Sequence, residues 1–122
     1  MSDHRDRGTI HAILEAIQHI RDYTRSISNA EDFYRNTMVF DATLMNFVIV
    51  GEMSQRISDQ LRDRYSEIPW QKIKSFRNLV AHDYLGIDAE EVWQIVTGDI
   101  PALEQQILSL KDEFEGHERE DS

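Results

Sequence analysis

An all-α fold, an antiparallel bundle of four or five helices, is what this 122-residue sequence predicts, and three observations carry it. Apolar residues recur at three- and four-residue steps through most of the chain. Almost nothing alternates with the two-residue period of a strand. Pro69, Gly86, Gly98 and Pro101 fall where one helical run gives way to the next.

Taken in order, Ile10, Ile13, Leu14, Ile17, Ile20, Thr24 and Ile27 form the stripe of an amphipathic first helix over residues 8–27, broken by Ser28 and Asn29. Asn29 can cap the next segment, with Asp32 three residues on. Phe33, Phe40, Leu44, Phe47, Val48, Ile57 and Leu61 then continue as one long helix, or two in line, to about residue 60. Pro69 suits the first turn of a third helix, favours an extended Ile68, and leaves Gly86 placed to end that helix in a left-handed cap. Asp88–Glu91 reads as a capping box for a fourth helix carrying Val92, Trp93, Ile95 and Val96. Gly98, Asp99 and Pro101 close it and start a last one striped by Leu103, Ile107, Leu110 and Phe114. No internal repeat and no Pro/Gly/Ser-rich linker suggests a second unit, so residues 1–122 read as one domain, with an acidic tail expected to fray from about residue 115.

Composition narrows the function classes. Without cysteine there is no disulfide, thiolate metal site or cysteine nucleophile. The charged N-terminus leads into no apolar leader, and the most apolar run, "LMNFVIV", is seven residues long. The expectation is a soluble cytoplasmic protein with no membrane partner. A net charge of -10 argues against a general nucleic-acid binder. The charge is uneven, however: from Ser54 to Arg77, Arg56, Arg62, Arg64, Lys72, Lys74 and Arg77 face only Asp59, Asp63 and Glu67.

That basic stretch runs into "FRNLVAHDYLG", Phe76 to Gly86, which mixes core residues with groups that packing does not require. On a straight helix Ile73, Val80 and Tyr84 lie within about 20° of one another and face the bundle, with Arg77 about 40° from that centre. Asn78 and His82 lie at about 140° and 180°, stacked as an i,i+4 pair. Arg77 and His82 of one chain therefore point about 140° apart and about 7.5 Å along the axis. Either the helix unwinds near His82, or two copies meet across a twofold axis so that paired side chains surround one cleft. Leu79, otherwise exposed, supports the second arrangement.

Arg77, His82 and Tyr84 form R-x-x-x-x-H-x-Y, and with "GEMSQRIS" (51–58), "IPWQKIKSFRNLVAHDYLGIDAEEVW" (68–93) and "DIPALEQQI" (99–107) the chain resembles HEPN-domain toxins of the HepT group. The likeness covers about residues 8–110. It implies an all-helical homodimer with the motif at its interface, acting as a metal-independent ribonuclease with no cofactor, the toxin of a toxin–antitoxin pair. It also implies a partner, a minimal nucleotidyltransferase of the MntA type that transfers AMP onto the motif tyrosine, here Tyr84.

The residues suit that chemistry on their own terms. RNA supplies its own nucleophile, the 2′-hydroxyl, so cleavage needs an acid, a base and a cation on the phosphorane. His82 can be acid or base near neutral pH, and Arg77 can grip the phosphate with two parallel hydrogen bonds. Asn78 can orient the imidazole or the phosphate, and in a dimer the second His82 supplies the other proton step. Tyr84 has no evident step in cleavage, but its phenol is a fair acceptor for a nucleotidyl group.

Plainer readings stand beside these. His82 could be a surface or cap histidine, Tyr84 a core aromatic with a wet tip, and Arg77 a partner of Asp83 or of an acid on a neighbouring helix. Glu52 and Arg56 read as a solvated i,i+4 pair, and Met38, Met45 and Met53 as helix packing. His4, His11, His19 and His117 show no metal-ligand spacing. A second class of function also fits: a non-catalytic helical partner that positions a substrate for a nucleotidyltransferase.

Overall fold

The computed structural model describes the backbone of residues 2–121 and the side chains of residues 5–116. Among these the chain is helical, without strands. The helices are α1 (Ser2–Thr24), α2 (Ala30–Arg35), α3 (Thr37–Arg56), α4 (Asp59–Arg64), α5 (Trp70–His82), α6 (Ala89–Gln94) and α7 (Ile100–Asp121). The short α2 and α4 join the long α1, α3, α5 and α6–α7 that make the bundle. α3 packs on both α1 and α5, and α7 packs on α1. Ile10, Ile13, Ile17 and Ile20 of α1 meet Phe40, Leu44, Phe47 and Val50 of α3 in a core closed by Ile100, Leu103, Ile107 and Leu110.

Helix ends follow local chemistry. α1 stops at Thr24, three residues before the expected end, where the Thr24 hydroxyl donates back to Ile20 O at 2.7 Å and competes with the next turn. Asn29 caps α2 as expected, accepting from Asp32 N at 2.9 Å. Asn36 then interrupts the run and caps α3 by accepting from Val39 N at 3.1 Å, so of the two expected arrangements the run is two helices and not one. Ile57 turns extended and ends α3 at Arg56, and Ser58 caps α4. The buried Asp6 of α1 accepts from Ser58 N and Ser58 Oγ, at 3.0 and 2.8 Å, tying that corner to the start of the chain.

Two boundaries differ from the sequence expectation in ways that matter for the site. α5 ends at His82, not at Gly86, so the helix does unwind next to His82, one of the two arrangements the sequence leaves open. Asp83 leaves helical geometry at φ -141°, and Tyr84–Gly86 form a separate 3₁₀ turn. No glycine has positive φ among the described residues, so Gly86 makes no left-handed cap. Its missing side chain is used for space: a Cβ there would lie 2.6 Å from both carboxylate oxygens of Asp83.

At the other boundary Gly98, Asp99 and Pro101 do not separate two helices. A π turn over Ile95–Asp99 carries α6 directly into α7, with Ile100 N–H bonded to Ile95 O. The wider turn falls directly before Pro101, which has no N–H to give to the carbonyl of residue 97. The backbone of α7 is helical through Asp121; most side chains of the acidic tail lie outside the described residues.

α3 and α5 run antiparallel and touch most closely at Gly51. A Cβ on Gly51 would overlap Arg77 Cβ, lie 2.6 Å from Arg77 Cγ and 3.5 Å from Ile73 O. Gly51→Ala gains helix propensity of about 1 kcal/mol but must push the two helices apart, and overpacking of this kind costs about 1–3 kcal/mol. Gly51→Ala is therefore expected to lower the urea midpoint, and Gly51→Val to lower it further. A midpoint that rises with alanine would show that the crossing has room.

Candidate active site

Arg77 enters the site because Gly51 lets α5 settle onto α3 at that position. Its guanidinium is turned along the seam between the helices. Nη2 pairs with the Glu52 carboxylate of α3, and Nη1 donates to Asn78 Oδ1 at 3.2 Å. The two ionic side chains are 27% and 40% exposed, so the pair faces water. Arg77 Nε is buried and has no hydrogen-bond partner. Arg77 and Asn78 diverge by about 100° around the helix axis, and the length of the arginine side chain brings them together.

His82 is the last residue of α5. It is exposed, and its imidazole has no hydrogen-bond or ion-pair partner among the described residues. Asn78, one turn earlier, gives its amide oxygen to Arg77 rather than to the imidazole.

Tyr84 departs from the expected geometry. It stands on the 3₁₀ turn, 43% exposed, and does not face the bundle core. Its hydroxyl donates to Asp41 Oδ1 on α3. That hydrogen bond is the main reason the phenol is raised above its ordinary value of 10.0: the adjacent carboxylate favours the protonated form. Asp41 and Glu52 are eleven residues apart, about 16 Å along α3, so the Tyr84 hydroxyl and the Arg77 guanidinium are held well apart within one chain.

Two residues of the site escaped the sequence reading. Glu52, expected to pair with Arg56, reaches across to Arg77 and is the acid on a neighbouring helix that the plainer reading of Arg77 allows; the adjacent Gly51, a glycine inside a helical run, is the available signal of a close helix crossing. Asp41 carried no signal, because its role depends on where the chain turns after His82. The methionines also need correcting: Met53 packs against the core, whereas Met38 and Met45 are exposed, on the same face of α3 as Asp41 and Glu52.

The remaining histidines stand apart. His19 stacks on Tyr23, with its Nδ1 3.3 Å from Asn46 Oδ1, His11 is exposed, and the side chains of His4 and His117 lie outside the described residues. No group of three or more His, Cys, Asp or Glu suited to a metal occurs among the described residues, and none of their helices is long and apolar enough to cross a membrane. An apolar groove of about 580 Å³ lies on the far side of α5, between it and α6–α7, floored by Phe47 and Val50 and edged by Leu79. None of the four motif residues lines it.

Residues 13–110 match the family described as HepT-like ribonuclease. The chain belongs to that family. It is 33% identical over 99 residues to "Probable ribonuclease HepT" of Thermococcus cleftensis, covering 81% of this chain and 89% of that one. It is 30% identical over 107 residues to "Putative RNase MJ1380" of Methanocaldococcus jannaschii, covering 88% and 97%. A longer protein of that organism, "Gamma-glutamylcyclotransferase and putative RNase MJ0434", is 31% identical over 103 residues; the match takes in 84% of this chain but only 46% of that protein. No solved structure matches the chain.

For a HepT-like ribonuclease the geometry has a direct reading. The arginine fork is preoriented by a carboxylate on one side and an amide on the other, and a free imidazole stands one turn beyond the amide. Any anion that used the Arg77 fork would have to displace Glu52 or share the guanidinium with it.

Proposed function

We propose that this HepT-like protein is a metal-independent endoribonuclease and the toxin of a toxin–antitoxin pair. Arg77 holds the scissile phosphate, His82 moves the proton, and Asn78 orients the guanidinium. The contact of Arg77 with Asn78, beside an unpartnered and exposed His82, carries this reading. It is the arrangement an acid–base group needs if it is to meet a phosphate rather than a protein partner.

A second copy completes the site. Within one chain Arg77 is turned to the α3 seam while His82 faces water, and one imidazole cannot be acid and base in the same step. The exposed apolar residues at the Tyr84 end of the seam, Met38, Met45 and Leu85, with Leu85 94% exposed, support burial of that end against a twofold-related copy, whereas Leu79 edges the groove on the far side of α5. Tyr84, projecting from the turn after His82, is the residue we assign as acceptor of AMP from an MntA-like nucleotidyltransferase antitoxin. The contrary reading, a non-catalytic partner of such an enzyme, draws on the net charge of -10.

The test is product chemistry. Incubation of the chain with RNA in excess EDTA should give fragments with a 2′,3′-cyclic phosphate, or its opened form, and a 5′-hydroxyl. Activity that vanishes in EDTA and returns with magnesium would refute the metal-free mechanism. Absence of cleavage in both conditions favours the non-catalytic partner.

A further inference from the structure

The basic stretch between Ser54 and Arg77 is not used up by the site, and the fold sorts its members. Arg62 is paired with Asp59 on α4. Lys72 lies on the far side of α5, at the groove edged by Glu67, Glu91 and Asp99. Arg56 and Lys74 are different. Both are exposed, and neither has an ion-pair or hydrogen-bond partner among the described residues. Lys74 is one turn before Asn78 and about 60° around α5 from Arg77; Arg56 is one turn beyond Glu52 on the same face of α3. Because α3 and α5 are antiparallel and Glu52 meets Arg77, Arg56 lies level with Lys74, about 6 Å along the seam from Arg77. The other end of the seam is acidic: Asp41 and Asp83, both exposed, flank Tyr84. At one end Lys74 and Arg56 stand unpaired beside Arg77, while the nearby carboxylates are engaged, Glu52 with Arg77, Asp59 with Arg62 and Asp6 with Ser58; the other end offers two carboxylates and a histidine. On a chain this acidic, the field for a polyanion is favourable in one direction only.

We propose that single-stranded RNA runs from the Arg77 site along the α3–α5 seam over Lys74 and Arg56, which hold the phosphates on one side of the scissile bond. The inference rests on the ribonuclease reading and adds the direction of the substrate. Away from the reacting atoms, these two cations stabilise bound RNA and the transition state equally, so their loss acts on KM rather than kcat.

The experiment is the salt dependence of RNA cleavage in the full-length chain, comparing wild type with Lys74→Gln, Arg56→Gln, the double variant, and Lys72→Gln as a charge-matched control across the helix. Removal of each seam cation should raise KM severalfold with kcat within about twofold, and should make the slope of log kcat/KM against log salt shallower by about 0.7, the value for one single-strand phosphate contact. Lys72→Gln should change neither. A double variant indistinguishable from Lys72→Gln overturns the path, as does a Lys72→Gln effect equal to either seam variant, which would mean diffuse attraction. A wild-type chain that cuts no RNA sinks the ribonuclease reading itself and takes the path with it.

Discussion

Replacing His82 by alanine is expected to lower RNA cleavage by about 10²–10⁴-fold, the usual share of a positioned acid or base. Arg77→Ala should cost about 10²–10³-fold, the share of a donor aimed at charge that develops in the transition state. Neither change should unfold the protein. His82 is exposed at a helix end, and the Arg77–Glu52 pair faces water, where ion pairs contribute about 0–1 kcal/mol. Arg77→Lys should restore little, because a single ammonium cannot reach Glu52 on one side and Asn78 on the other while offering a planar fork to phosphate. The measurements are single-turnover cleavage, helix content by circular dichroism, and mass by light scattering. Each variant should keep wild-type helicity and the dimer mass. Full activity in His82→Ala would remove the imidazole from the mechanism. A strict monomer that cleaves at the wild-type rate would remove the shared cleft.

The parts of this reading that were legible in the sequence share a physical property: they depend on neighbours within a few residues. Asn29 and Asp88 cap the helices they precede, since a side chain that accepts from an N–H two or three residues on needs no tertiary context. The isoleucine stripe of α1 is buried as its spacing predicts. The misses come from distant contacts. Nothing local states that Glu52 will leave Arg56 for Arg77, because that choice is made by the approach of two helices at Gly51. The π turn that carries α6 into α7 likewise departs from the break that Gly98 and Pro101 suggest locally, in a helix whose second half packs on the distant α1.

The end of α5 had the largest consequence. A straight helix through Tyr84 would put its phenol about 20° and 10.5 Å from Arg77, within reach of a shared phosphate. The break at Asp83 puts the phenol on Asp41 instead, on the opposite side of His82 from the basic end of the seam. The proposed control by modification of Tyr84 would then work differently from direct pairing with Arg77 of the same chain.

The structure of that turn suggests how. Attack of the Tyr84 oxygen on the α-phosphorus of ATP would expel pyrophosphate and release the phenol proton now given to Asp41, setting a phosphodiester anion beside the Asp41 carboxylate, with Asp83 close in the chain. The hydrogen bond becomes a repulsion, the 3₁₀ turn is expected to swing away from α3, and a bulky anion then stands next to His82, where it repels the scissile phosphate. Incubation with the cognate nucleotidyltransferase and ATP should therefore add AMP to Tyr84, read by intact-mass and peptide mass spectrometry, and lower cleavage by two orders of magnitude or more. Tyr84→Phe should keep cleavage within about twofold of wild type, since it loses one exposed hydrogen bond of about 1 kcal/mol, and should escape silencing. The raised phenol pKa gives a further check. The proton is held more tightly in the presence of Asp41, so Asp41→Asn should shift the Tyr84 titration downward toward its ordinary value. Modification at another residue, or a Tyr84→Phe protein still silenced by its partner's enzymatic activity, would leave Tyr84 as a surface residue of the turn with no part in control.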